Sequence, residues 1–144
     1  MMMFQKRIIR KTDAKGFTLI ELLIVMAIIA MLAAIVGPSI FNKLVGAKRD
    51  GAAAQISTLD TAIAGYRLDV GKYPNSLEGL IKNDTGSSRW RSKYLNKSHV
   101  PKDPWGNDYH YQAPGSHDND YDLYSYGPDN QEGGEGDDAD IVNW

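Results

Sequence analysis

Twenty consecutive residues, Phe17 to Val36, carry a single charged side chain, Glu21. At about 1.5 Å of rise per residue, a helix of that length matches the roughly 30 Å hydrocarbon core of a bilayer. The run exceeds the about 7–15 apolar residues of a secretory signal peptide, so although Ala33-Ala34 imitates a cleavage site, a retained segment is expected. Glu21 is the exception inside it. A carboxylate near the middle of a membrane helix costs about 2.5–3.5 kcal/mol on insertion scales, so it calls for a partner in this chain or in another copy.

The flanking charges set a direction. Residues 1–16 hold Lys6, Arg7, Arg10, Lys11 and Lys15 against Asp13, a net +4, which leaves −6 for the rest of a chain whose total is −2. By the positive-inside rule the short N-terminus is expected to stay cytoplasmic and the acidic remainder to be exported. An acidic head argues against nucleic acid as a partner, because phosphate recognition needs basic side chains. The basic residues Arg89, Arg91, Lys93 and Lys97 read as a solvated loop. The chain has no cysteine, so disulfides cannot offset the small core of an exported domain.

Beyond the apolar run, Pro38 falls within continuing helical pattern and is expected to kink it, since proline removes a backbone donor and crowds the preceding turn. From 39 to 70 the periodicity becomes amphipathic. Ala52, Ile56, Leu59, Ile63, Tyr66 and Val70 form one stripe, suited to packing against a small domain or against another helix. A nearly continuous helix from Phe17 to Val70 is therefore expected, ended by Gly71 and Pro74. Asn75 or Ser76 is placed to cap a short helix through Ile81. A polar loop occupies 82–100. Tyr109–Gln112 and Tyr121–Tyr126 alternate with period two and read as short strands, which become stable by packing on the stripe. The head is α+β.

Asp129 to Asp140 contains six acids in 12 residues, three glycines and no base. Such a run either stays solvated or gathers around a cation. Oxygen donors without cysteine, on glycines that let carbonyls turn inward, suit Ca²⁺ better than zinc. Asp118-Asn119-Asp120-Tyr121-Asp122 imitates the opening of an EF-hand, but Leu123 stands where that loop needs glycine and no glutamate closes it. No nucleophile elbow or phosphate loop appears, and His99, His110 and His117 form no catalytic pattern, which points away from an enzyme.

K-G-F-T-L-I-E-L-L-I-V-M-A-I-I-A-M-L-A-A-I-V-G-P resembles the N-terminal signature of type IV pilins and type II secretion pseudopilins. In that pattern a basic leader ends in Gly, Phe opens the mature chain, Glu is fifth and Pro twenty-second, as are Gly16, Phe17, Glu21 and Pro38 here. K-Y-P-N-S-L-E-G-L, D-P-W-G-N-D-Y and the segment from Tyr121 to Trp144 resemble the major pseudopilins of type II secretion in particular. Adhesive type IV pilins, the alternative, usually close their C-terminal loop with a disulfide.

The resemblance implies a pilin-like α+β fold: a transmembrane and amphipathic helix packed by a small antiparallel sheet with a C-terminal calcium loop. It implies a leader, 1–16, removed by a prepilin peptidase between Gly16 and Phe17, with N-methylation of Phe17. It implies an inner-membrane anchor and assembly segment, 17–38, bearing Glu21 and Pro38, and a periplasmic head, 39–144, whose β-region and calcium loop span 101–144. Copies would form a helical filament with minor pseudopilins and an inner-membrane assembly platform. Ca²⁺ would be held by the side chains of Asp129, Asp138 and Asp140 and the carbonyls of Tyr126 and Gln131. Glu21 would meet the Phe17 amine of its own helix or of a neighbouring subunit.

Overall fold

The computed structural model of the protein describes residues 16–144; the expected leader, 1–16, lies outside the described residues except for Gly16. One helix dominates. Helix α1 runs from Leu19 to Val70, 52 residues, and remains helical through Pro38. Contacts divide the chain into a unit ending at Ser39 and a second from Ile40 to Trp144.

In the first unit every described residue is exposed, including Leu22, Ile24, Met26, Ile29 and Leu32. An apolar surface running around the whole helix has no partner in its own unit. That pattern is compatible with a single membrane anchor, since in lipid a helix satisfies its backbone internally and needs no polar face.

In the second unit α1 is the floor of the core. All six residues of the expected stripe are buried, and Ala62 joins them. Leu77, Leu80, Leu95, Tyr109, Leu123 and Ile141 close over that stripe. At about 25 cal/mol per Å² of apolar surface removed from water, this packing, and not helix propensity, holds α1 to the head.

The short helix after Pro74 is a single 3-10 turn, Leu77–Leu80; Ser76 stands at its N-cap position but makes no side-chain cap bond. Strands β1 (His110–Gln112), β2 (Asp122–Ser125) and β3 (Ile141–Val142) form an antiparallel sheet in the order β1-β2-β3. Tyr111 pairs with Leu123, and Ser125 with Ile141. Asn143 lengthens the β2–β3 ladder, its backbone N–H donating to Leu123 O (3.1 Å) and its side-chain oxygen accepting from Leu123 N (2.9 Å).

Tyrosines join the head to α1 and its C-terminal turn. Their rings fill the core, and their hydroxyls donate to Gln55 (from Tyr109, 2.9 Å), Asp60 (from Tyr121, 2.8 Å), Asp69 (from Tyr94, 3.0 Å) and the Pro74 carbonyl (from Tyr111, 2.9 Å). Burial raises the pKa of each, most for Tyr109, Tyr111 and Tyr121, so all stay protonated donors at any physiological pH. The 82–100 segment has no regular structure, yet it is tied down: Tyr94 N and Leu95 N donate to Leu80 O, and Trp90 Nε1 donates to Gly79 O at 2.9 Å.

Candidate functional site

The N-terminal end and the acidic loop are separate places. At the first, Gly16 and Phe17 precede the helix and are exposed. Thr18 stands immediately before α1, and Glu21 is its third residue. Glu21 N donates to Thr18 Oγ1 (3.2 Å), while the Glu21 carboxylate accepts from Thr18 N (2.8 Å) and from Thr18 Oγ1 (2.9 Å). This reciprocal arrangement is a capping box, which satisfies donors that every helix start leaves unpaired. The signal was present as T-x-x-E just ahead of an apolar run; it is obscured when Glu21 is considered only as a charge. Among the described residues the partner of Glu21 is thus Thr18, a neutral group. Its negative charge is solvated by two hydrogen bonds and not cancelled.

At the second place, the acidic segment connects β2 to β3, so antiparallel pairing fixes both its ends. Its last residues fold back on Gly133: Gly133 N donates to Asp140 Oδ2 (2.9 Å), and Asp140 N donates to Gly133 O (3.2 Å). Gly134, at φ 85°, lies against the Asp138 carbonyl so closely that a Cβ would overlap it. At the other end Asp129 Oδ1 accepts from Gln131 N at 3.2 Å across a left-handed Asn130. Asp129, Gln131 and Asp138 are exposed, and Tyr126 and Asp140 are half-buried. Asp140 Oδ1 is buried and has no hydrogen-bond partner among the described residues. Among the described residues no three carboxylate or imidazole side chains form a ready-made metal cluster. The oxygen-only donor set and the unpartnered Asp140 oxygen fit a hard cation such as Ca²⁺.

Two features of this region were not legible in sequence. Arg49, on α1, donates from Nη1 to Asp137 O (2.9 Å) and Ala139 O (2.6 Å), 88 and 90 positions away. Buried Asp103 links the D-P-W-G-N turn to the loop. Its Oδ1 accepts from Trp105 N (3.0 Å) and Asn107 N (2.8 Å), and its Oδ2 accepts from Ser125 Oγ (2.6 Å), which itself accepts from Gly127 N (3.1 Å).

The EF-hand imitation is used otherwise. Asp120 accepts from Tyr73 OH (2.7 Å) and from Arg67, which also donates to Tyr73. Hydrogen bonding from Tyr73, helped by Arg67 and opposed by burial, lowers the Asp120 pKa. Asp122 Oδ2 accepts from Ser116 N and Oγ (both 2.8 Å) and meets His117 Nδ1 at 2.9 Å. Burial opposes the Asp122 charge, but these donors outweigh it and bring its pKa down to about 2. Ser116, His117 and Asp122 together evoke a hydrolytic trio, but the geometry differs. Ser116 Oγ and Asp122 both face the same imidazole nitrogen, Nδ1, and the hydroxyl donates directly to the carboxylate, so the imidazole is not placed to relay a proton between them.

An all-round apolar helix that continues as the floor of a small three-stranded head defines the pilin-like class of membrane-anchored subunits. The chain belongs to the type II secretion system protein G family, whose model matches residues 39–144. A model of the prokaryotic N-terminal methylation motif matches residues 11–37. The chain is 42% identical over 142 residues to type II secretion system core protein G of Pseudomonas aeruginosa, covering 94% of this chain and 98% of that one. It is 38% identical over 143 residues to the core protein G of Escherichia coli K12, covering 94% of each. Its fold is similar to the crystal structure of the major pseudopilin from the type 2 secretion system of enterohaemorrhagic Escherichia coli, with TM-score 0.56 and 32% identity over 73% of this chain and 92% of that chain. The pilin-like fold and the pseudopilin resemblance are both borne out.

Proposed function

We propose that this chain is the major structural subunit of a type II secretion pseudopilus, a periplasmic helical filament whose growth helps move folded proteins across the outer membrane. The observation that carries the reading is the helix surface from Leu19 to Val36, apolar on all sides with one acid, in a chain of the protein G family. The segment is an inner-membrane anchor with its basic N-terminus in the cytoplasm and the head in the periplasm. A prepilin peptidase cuts between Gly16 and Phe17, and the new Phe17 amine is methylated. Glu21 then supplies the anion that the amine of a neighbouring subunit meets. A charge solvated by the neutral Thr18 remains costly in an apolar interior, so the subunit stagger that brings a cation to it is favoured. Pro38 leaves Ala34 O without its intrahelical donor, a point where α1 can loosen as copies pack. Copies assemble with minor pseudopilins on an inner-membrane platform.

The acidic loop binds Ca²⁺ through Asp129, Asp138 and Asp140 with the carbonyls of Tyr126 and Gln131. When bound, the ion supplies positive charge that closes a cysteine-free loop by joining its two ends.

Two substitutions test the assembly reading. Glu21→Gln keeps a side chain that serves at the third position of a capping box but removes the charge, whereas Glu21→Ala removes both. Both variants are expected to insert in membranes and to form no filaments, measured by membrane fractionation and electron microscopy of cells overproducing the secretion system. Filaments from Glu21→Gln in wild-type quantity would show that the cap matters and the charge does not.

A further inference from the structure

The acidic loop carries six acids and no base, yet a base is seated against it. Arg49 reaches from α1 and places one nitrogen, Nη1, between the carbonyls of Asp137 and Ala139. It binds backbone and not carboxylate: no acidic side chain lies within ion-pair distance of Arg49 among the described residues. The choice of carbonyls has a geometric consequence. The Asp137 carbonyl belongs to the peptide plane that ends at the nitrogen of Asp138, and the Ala139 carbonyl to the plane that ends at the nitrogen of Asp140. Each peptide is planar, so holding its oxygen also restricts where the next residue's Cα lies. Arg49 therefore fixes the two planes leading into Asp138 and Asp140, and leaves both carboxylates free of its own charge. Asp140 is further held through Gly133, with its Oδ1 still unpartnered.

We propose that Arg49 is a positioning residue for a divalent cation in this loop: it orients Asp138 and Asp140 from the helix without touching the ion. The inference rests on the calcium reading above. It also gives the half-buried guanidinium a purpose that its charge alone would contradict, since a bare cation beside a cation site weakens binding. Groups that orient metal ligands from behind typically change affinity by about 10–100-fold when removed.

The test uses the full chain in detergent, wild type, Arg49→Met and Arg49→Lys, titrated with CaCl₂ by calorimetry, with near-ultraviolet circular dichroism in EGTA as a check on folding. Arg49→Met is expected to bind Ca²⁺ at least about tenfold more weakly than wild type. Arg49→Lys, whose ammonium can send two hydrogens to the same carbonyls, is expected to recover a large part of that loss. Recovery by lysine, with the EGTA spectra of wild type and Arg49→Lys alike, separates positioning from a general loss of fold. Should Arg49→Met fail to fold, Arg49→Lys and Arg49→Gln carry the comparison, with glutamine weaker than lysine. Equal or tighter binding by folded Arg49→Met or Arg49→Gln overturns the proposal and leaves the calcium site standing. A wild-type chain that takes up no Ca²⁺ overturns the calcium reading itself, and the proposal with it.

Discussion

Replacing Ser125 by alanine removes one hydroxyl from the centre of the head. Ser125 is fully buried, and its Oγ both donates to Asp103 Oδ2 at 2.6 Å and accepts from Gly127 N at 3.1 Å. A hydrogen bond onto a carboxylate contributes about 1.5–3 kcal/mol, and a buried N–H left without an acceptor costs about 1–3 kcal/mol. The methyl group occupies almost the same space, so no large cavity opens and packing terms stay small. Allowing for partial relaxation around Gly127, the expected loss is about 3 kcal/mol. For a head of this size that lowers the melting temperature by roughly 10–20 °C. The assay is thermal and urea unfolding of the full chain in detergent, followed by near-ultraviolet circular dichroism from the tryptophans and tyrosines. Thr58→Ala is the control: its hydroxyl makes one exposed bond to Ala54 O, and its effect is expected within about 0.5 kcal/mol. If Ser125→Ala also falls within about 0.5 kcal/mol of wild type, the Asp103–Ser125–Gly127 chain does not stabilise the head, and the reasoning is wrong.

Two further outcomes follow from single groups. Tyr66 is wholly buried and its hydroxyl has no hydrogen-bond partner among the described residues, so Tyr66→Phe is expected to be neutral or to stabilise by about 1 kcal/mol, read from the urea midpoint; a loss above about 1 kcal/mol would show a hidden partner. Asp122 has its folded pKa lowered from 3.8 to about 2, so the stability it contributes is fully present above the unfolded value and is lost as pH falls from about 4 through about 2. Urea midpoints measured from pH 6 to pH 2 should therefore decline less steeply in Asp122→Asn than in wild type; parallel profiles would remove Asp122 from the acid response.

What could be read in advance depended on the range of the interaction. The α1 stripe from Ala52 to Val70 follows from local periodicity, and burial of each member matches it. The first two strands were legible because Tyr109–Gln112 and Tyr121–Tyr126 alternate, and each proved shorter than its pattern by one or two residues at its ends. Strand β3 is two residues long and carries no periodicity; only its pairing to Tyr124 and Ser125 makes it a strand. Residues 82–100 read as polar loop because their anchors follow no repeating pattern: the Trp90 indole donates to Gly79 O, and the backbone N–H groups of Tyr94 and Leu95 donate to Leu80 O. Arg49 was invisible as a loop contact for the same reason: it sits among Lys48 and Asp50 as an ordinary charged helix position. Composition marked the acidic loop as a place of interest, whereas the side chain that hydrogen-bonds its backbone, Arg49, lies 88 positions upstream of Asp137.

The two halves of α1 pose different problems with the same backbone. In the head, water drives the apolar stripe inward, and area removed from water sets the scale of stabilisation. Along the Leu19–Val36 surface that drive is absent in a bilayer, because lipid chains are as apolar as leucine. Leaving lipid for the side of another copy therefore gains little from hydrophobicity, and packing alone discriminates weakly between one axial register and the next on a surface rich in Ile, Leu and Ala. A polar group is what can tell registers apart. Glu21 is the only charged side chain in that stretch, and among the described residues it meets only the backbone N–H and hydroxyl of Thr18. In the proposed filament, a subunit arrangement that delivers a cation to Glu21 would gain what the others lack, so a single carboxylate would select the stagger that the apolar surface leaves open.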